Sequence, residues 1–175
     1  MSEFGLFDYV KMQNDIYMTE QDEGPCVKVN VYGDDGEKMI LHVWYDASDQ
    51  PIIDRCLVAG GLPFFVKAYS ENGRDGVNIQ TGKIDFSDLG YGPNSTAALR
   101  RLIALSVNGW TLQYIQDRGM DVFPKNDNHL DLRRDNLVIG RKVYDWGEER
   151  REEYSLPRAK YQLEKEIEHE EITNS

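Results

Sequence analysis

The sequence predicts an α+β fold whose N-terminal half is β-rich and built of antiparallel hairpins, and three observations carry that prediction. Val27, Val29 and Val31 alternate with Lys28, Asn30 and Tyr32, and a second alternating run follows the turn-forming GDDGEK. The Ala/Leu-rich stretch STAALRRLIALSVNG has the apolar spacing of a helix. Residues 144–175 are dense in Glu, Lys and Arg, the composition of a solvated helix. Period-two alternation buries one face of a strand, and spacings of three and four do the same for a helix. The chain therefore divides into an arm (1–25), a β-rich part (26–92), a helix followed by a ββα unit (93–143) and an acidic helical tail (144–175).

The arm mixes aromatics with acids and is expected to pack through Phe4, Phe7 and Tyr9. CVKVNVY and MILHVWYD form the first hairpin, with Gly and Asp supplying the turn. Further strands are predicted at IIDRCLV, PFFVKAYS and GVNIQT, short apolar runs separated by Gly, Pro, Asn and Asp. The helix after them is capped by Asn94 or Ser95, stops at Asn108-Gly109, and turns Leu99, Leu102, Ile103 and Val107 to the core. WTLQYIQDRGMDVF is expected to form two short strands around QDRGM. After the loop PKNDNH, a short helix beginning near Leu130 carries DLRRDNL. In the tail, Ser155 caps a last helix with Pro157 in its first turn, where a missing backbone N–H costs nothing.

A chain of 175 residues with 40% hydrophobic side chains can bury a core as one compact domain with appendages. Cys26 and Cys56 lack metal-ligand spacing and read as reduced, buried thiols. MSEFGLFDYV has neither a basic start nor a long apolar run, so a cytoplasmic protein without membrane association is expected. The net charge of −11 is unevenly spread: residues 1–95 hold 7 Lys/Arg against 16 Asp/Glu, residues 96–142 hold 8 against 5, and residues 143–175 hold 5 against 10. A basic segment thus lies between acidic flanks, and phosphate-backbone binding, which depends on Lys and Arg, has few other places to reside.

That segment contains DVFPKNDNHLDLRRDNLVIG. A unit of two strands, a polar loop and a helix can hold a divalent metal beside a general-base His. NDNHLDLRRDNLVIG resembles the end of the compact HNH-endonuclease motif of phage and mobile-element proteins, in which an Asn/Gly/Asp loop precedes Leu-Asp-Asn-Arg-Arg-x-Asn-Leu; LRRLIAL is similar to that family's His-Arg-Leu-Ile helix. The resemblance covers about residues 98–141 and implies scaffold roles for Asn126, Asn128, Leu130, Asp131, Asn136 and Leu137. It also implies departures. Phe123-Pro124 occupies the family's Asp-His or His-His position, Leu132 its helix Asn, and Arg100 its helix His. Neither Phe123 nor Pro124 can bind a metal or accept a proton, so no catalytic residue is assigned. His129, beside Asp127 and Asp131, is the one rescue candidate; His42 and His169 read as ordinary strand and tail residues.

The expectation is a non-catalytic protein of phage or mobile-element origin on a degenerate HNH-like scaffold. It would inhibit a basic host protein that handles nucleic acid, such as a defence nuclease, in the host cytoplasm. The acidic contacts would be Glu148, Glu149, Glu152, Glu153, Glu164 and Glu166. DNA is a second possible target, through Arg100, Arg101, Arg133, Arg134, Arg141 and Lys142. An active endonuclease, which alone would require a cofactor (Mg²⁺ or Mn²⁺), and a structural or assembly protein are also compatible with the sequence. The oligomeric state is left open.

Overall fold

Strands β1 (Cys26–Tyr32) and β2 (Lys38–Trp44) pair antiparallel with Val29 opposite Leu41 and Val27 opposite Val43. This register puts Val29, Val31, Leu41 and Val43 on one buried face, as the alternation requires. The computed structural model describes residues 24–33, 36–57, 64–71 and 74–174, without the side chains of residues 68–75; the predicted arm with Phe4, Phe7 and Tyr9 lies outside them. A second hairpin joins β3 (Phe64–Glu71) to β4 (Arg74–Thr81), with Val66 opposite Ile79. A third pair, β5 (Met120–Pro124) and β6 (Leu137–Arg141), sets Val122 opposite Ile139 across the long connection 125–136.

Among the described residues five helices accompany the strands: α1 (Gln50–Leu57), α2 (Leu99–Asn108), α3 (Leu112–Asp117), α4 (Glu148–Glu153) and α5 (Leu156–Thr173). The class is α+β. Helix α2 lies at the centre, packed against β4, β5, β6, α1 and α5. Leu99, Leu102, Ile103, Ala104 and Leu105 are fully buried, and Val107 packs at the edge of the same cluster. One continuous apolar core runs from Val29 and Leu41 through α2 to Val138, Ala159 and Leu163 of the C-terminal elements. Burying each such aliphatic side chain stabilises the fold by about 1.5–3 kcal/mol.

Several predicted elements change. IIDRCLV is not a strand: Ile52, Ile53 and Cys56 are the buried face of α1, a helical spacing that the β-branched pair disguises. TLQYIQ is likewise helical, α3, because the Thr111 hydroxyl accepts the Tyr114 N–H at 3.3 Å and caps it. The predicted helix at Leu130 does not form. His129 and Leu130 lie in a turn, Asp131 forms an isolated bridge with Trp44, a single 3-10 turn follows at Arg134–Asn136, and β6 begins at Leu137. The helices that follow β6 begin at Glu148, outside the 93–143 unit predicted from the sequence. Helix α2 starts at Leu99 behind Ala98, which makes no side-chain cap, so Asn94 and Ser95 are not its caps; Gly109 ends it at φ 68° as expected. In the tail Ser155 does precede α5 and Pro157 sits in the first turn, but the Ser155 side chain makes no capping hydrogen bond. Its backbone carbonyl instead accepts from Arg158 and Ala159.

The connection 125–136 is stitched to the first hairpin. Trp44 donates its N–H to the Leu130 carbonyl at 2.9 Å and accepts the Leu132 N–H at 2.8 Å, a short parallel bridge. These bonds satisfy backbone groups that would otherwise be buried unpaired beside Leu130 and Leu132, both at or below 1% exposure. No helix among the described residues is long and apolar enough to cross a membrane.

Candidate functional site

The polar residues of the 125–136 connection fold it onto itself. Asn126 Oδ1 accepts the Asn128 N–H at 3.0 Å, Asn128 Oδ1 accepts the Leu130 N–H at 3.1 Å, and Asp131 Oδ1 accepts the Arg133 N–H at 3.1 Å. Each is a side chain reaching two residues forward, the local geometry for which Asn and Asp are suited. Asp127 sits at φ 61°, a left-handed conformation that Asp tolerates better than most side chains. Asn136, 8% exposed, closes the loop: its Oδ1 accepts the Asn126 N–H at 3.2 Å and its Nδ2 donates to the Asp131 carbonyl at 3.0 Å. Leu130 in its middle and Leu137 just after it are fully buried pins. Asn126, Asn128, Asp131 and Asn136 thus shape the backbone.

The basic side chains proposed for phosphate contact are largely engaged within the fold. Arg134 holds Asp49 through two bonds, at 3.0 and 2.6 Å, and its N–H reaches Asp46 at 2.8 Å. Arg133 makes a two-pronged pair with Asp131 at 2.8 and 2.9 Å. Arg101 donates to Asp121 at 3.1 Å, and Arg141 grips the Glu170 carboxylate with both terminal nitrogens. Arg100 is 8% exposed and meets His129. Lys142 is exposed.

His129 is buried, with Nδ1 3.3 Å from Arg100 Nη1. A guanidinium only donates, so Nδ1 is the acceptor and the ring proton resides on Nε2. The Val77 backbone also contacts the ring. Burial, and next the Arg100 charge, push the imidazole pKa down to about 4, so the ring is neutral at pH 7. In this arrangement neither ring nitrogen offers a lone pair to a metal or a substrate proton. Among the described residues no group of three or more His, Cys, Asp or Glu is placed to hold a metal ion.

The end of β5, where the motif would carry its working side chains, is covered with aromatics. Pro124 is buried. Phe123 meets Trp146 edge-on at 4.9 Å, and Trp146 packs on Tyr144 at 5.4 Å and Tyr154 at 5.8 Å. The indole lies directly over Gly140, where a Cβ would come 2.4 Å from Trp146. Glu166 accepts hydrogen bonds from the hydroxyls of both Tyr144 and Tyr154. Burial first, and then the Glu166 carboxylate, push the Tyr144 hydroxyl up to about 12. Arg151 seals the edge, donating to the Lys125 carbonyl at 2.8 Å, the Trp146 carbonyl at 3.1 Å and Asp127 at 3.2 Å.

The acidic candidates divide into two groups. Glu166 is half-buried under the tyrosines, and Glu152 pairs with Lys125 at 3.0 Å. Glu164 lies 4.0 Å from Lys160, a weak exposed pair. Glu148, Glu149 and Glu153 are exposed on α4, and among the described residues none forms an ion pair. Asp46, Asp49, Trp146 and Arg151 are site-shaping residues that the motif alone does not reveal. Comparison with protein-family models, curated proteins and solved structures found no match.

Proposed function

We propose that this chain is a non-catalytic binding protein that inhibits a basic, nucleic-acid-handling host protein by presenting its acidic C-terminal surface. One observation carries the reading. Arg101, Arg133, Arg134 and Arg141 are each matched to a carboxylate of the same chain, whereas Glu148, Glu149 and Glu153 of α4 project with no cationic partner among the described residues. The charge left over for a partner is therefore negative, in keeping with the formal −11 of the chain. The aromatic cover over Phe123, and a buried His129 whose Nδ1 is taken by Arg100, support a scaffold that does not cut. The resemblance of residues 98–141 to the HNH motif supports an origin in phage or mobile elements, where a groove-blocking inhibitor of a defence nuclease has a use.

The test sets labelled duplex DNA and a basic host nuclease acting on that duplex against the purified chain. Inhibition of the nuclease without a DNA mobility shift is expected, and the combined Glu148→Lys, Glu149→Lys and Glu153→Lys variant should relieve it. A mobility shift of the duplex by the chain alone, or metal-dependent nicking that disappears in His129→Ala, would overturn the reading.

A further inference from the structure

The guanidinium of Arg150 sits differently from those of Arg101, Arg133, Arg134 and Arg141. Glu148, Glu149, Glu152 and Glu153 are its neighbours in sequence, yet among the described residues it makes no ion pair. It lies instead over the ring of Tyr144, 4.3 Å from the centroid, and 5.9 Å from that of Tyr154. The two rings meet at 5.6 Å and 61°, and Trp146 stands against both. Glu166 fixes their orientation from behind by accepting both hydroxyls. This is a preorganised pair of aromatic faces with a cation already upon it, backed by a carboxylate.

The element that delivers Arg150 is anchored by Arg151, which donates to the Lys125 and Trp146 carbonyls, and Arg150 takes no part in that anchor. Helix α4 has six residues and buries none of them. A helix so short has little stability of its own. Its side-chain ion pairs, Glu152 to Lys125 and to Arg158 and Arg151 to Asp127, reach partners that are 30–77% exposed, so each is worth little and is screened by salt. Shifting Arg150 off the rings therefore disturbs no core side chain of α4.

From this geometry we infer that the face of Tyr144, backed by the buried Tyr154, is a docking site for an arginine of the basic partner, occupied in the free chain by Arg150 as an internal stand-in. The inference rests on the acidic-surface reading above and specifies the partner's chemistry. Glu148, Glu149 and Glu153 draw a cationic segment to α4, and the rings then favour arginine over lysine, because a planar, weakly hydrated guanidinium stacks on an aromatic face better than a strongly hydrated ammonium.

The full chain is titrated with nona-arginine and nona-lysine peptides at low and physiological salt, and the ratio of the two affinities is read. Wild type should prefer nona-arginine. Arg150→Ala removes a positive charge and so tightens both peptides, but it should raise the arginine-over-lysine ratio by a further three- to fivefold, roughly one cation–π contact. Tyr144→Phe keeps the ring and should keep the preference, and Tyr144→Leu should lose it. A ratio unchanged by Arg150→Ala, with both peptides still bound, overturns the docking site and leaves the acidic-surface reading standing. Failure of both peptides to bind at low salt overturns both.

Discussion

Arg134 and Asp49 are joined by a two-pronged ion pair, at 3.0 and 2.6 Å, that ties the 125–136 connection to the segment after β2. Asp49 is 2% exposed while Arg134 remains one-third exposed, so the buried carboxylate depends on a single cation that is itself partly in water. Removing that cation strands a charge in the interior. Arg134→Ala is expected to destabilise the protein by about 2–4 kcal/mol, discounted from a fully buried pair for the exposure of the arginine. Urea unfolding of Arg134→Ala, Asp49→Ala and the double variant checks this: the two single losses should be far from additive. A loss below half a kilocalorie in Arg134→Ala would show the pair to be dispensable.

Gly140 makes room for Trp146. A methyl group there would come 2.4 Å from the indole, so Gly140→Ala must push the ring off Phe123 or shift β6. The expected cost is about 1–3 kcal/mol, the range for overpacking a filled site. Trp146→Leu in the same chain should restore part of the loss. Thermal unfolding of the single and double variants reads the outcome, and a fully additive double variant would refute the steric account.

Asn136 is a polar hub with both ends of its amide in use. Asn136→Ala leaves the Asn126 N–H and the Asp131 carbonyl without these partners and should cost about 2–3 kcal/mol. Asn136→Asp keeps the acceptor but sets a carboxylate oxygen against the Asp131 carbonyl in a buried site, so it should cost at least as much as the alanine variant. Amide hydrogen exchange at Asn126 and Asn128 provides a local readout, with protection lost in the alanine variant.

His129 makes stability fall with acid. Its folded pKa, about 4, is below the unfolded value of about 6.5, so the folded state favours the neutral ring. The contribution is present in full above pH 6.5 and is lost as pH falls through about 4, up to roughly 3 kcal/mol for such a difference. Urea midpoints measured between pH 7.5 and 4 should decline more steeply in wild type than in His129→Gln. Parallel slopes would mean that the histidine does not titrate against folding.

The parts of this fold that can be read from the sequence are those whose pattern is local. β1 and β2 follow from Val27, Val29 and Val31 against Leu41 and Val43, and α2 from the spacing of Leu99, Leu102 and Ile103. α1 reads as a strand because two adjacent isoleucines suit either element, and only the third buried position, Cys56, reveals the helical period. The Leu130 helix fails for a different reason. Its carbonyl and the Leu132 N–H find partners on Trp44, across a sequence separation that no local pattern reports. The motif's Asn residues are legible as loop-shapers; the occupation of its arginines is not, because Asp49 and Glu170 come from distant segments.

The bridge between Trp44 and residues 130–132 also has a consequence in time. Eighty-six residues separate Trp44 from Leu130, so the connection cannot take its final shape until the first hairpin is in place and most of the chain has been made. The hairpin is synthesised first, so the Trp44 N–H and carbonyl can take these partners only after residues 130–132 have been made. Non-local closures of this kind slow folding, because their loop entropy is spent before any contact repays it. Substitutions that weaken the bridge should therefore act mainly on the last step of folding, after the hairpin and α2 have formed.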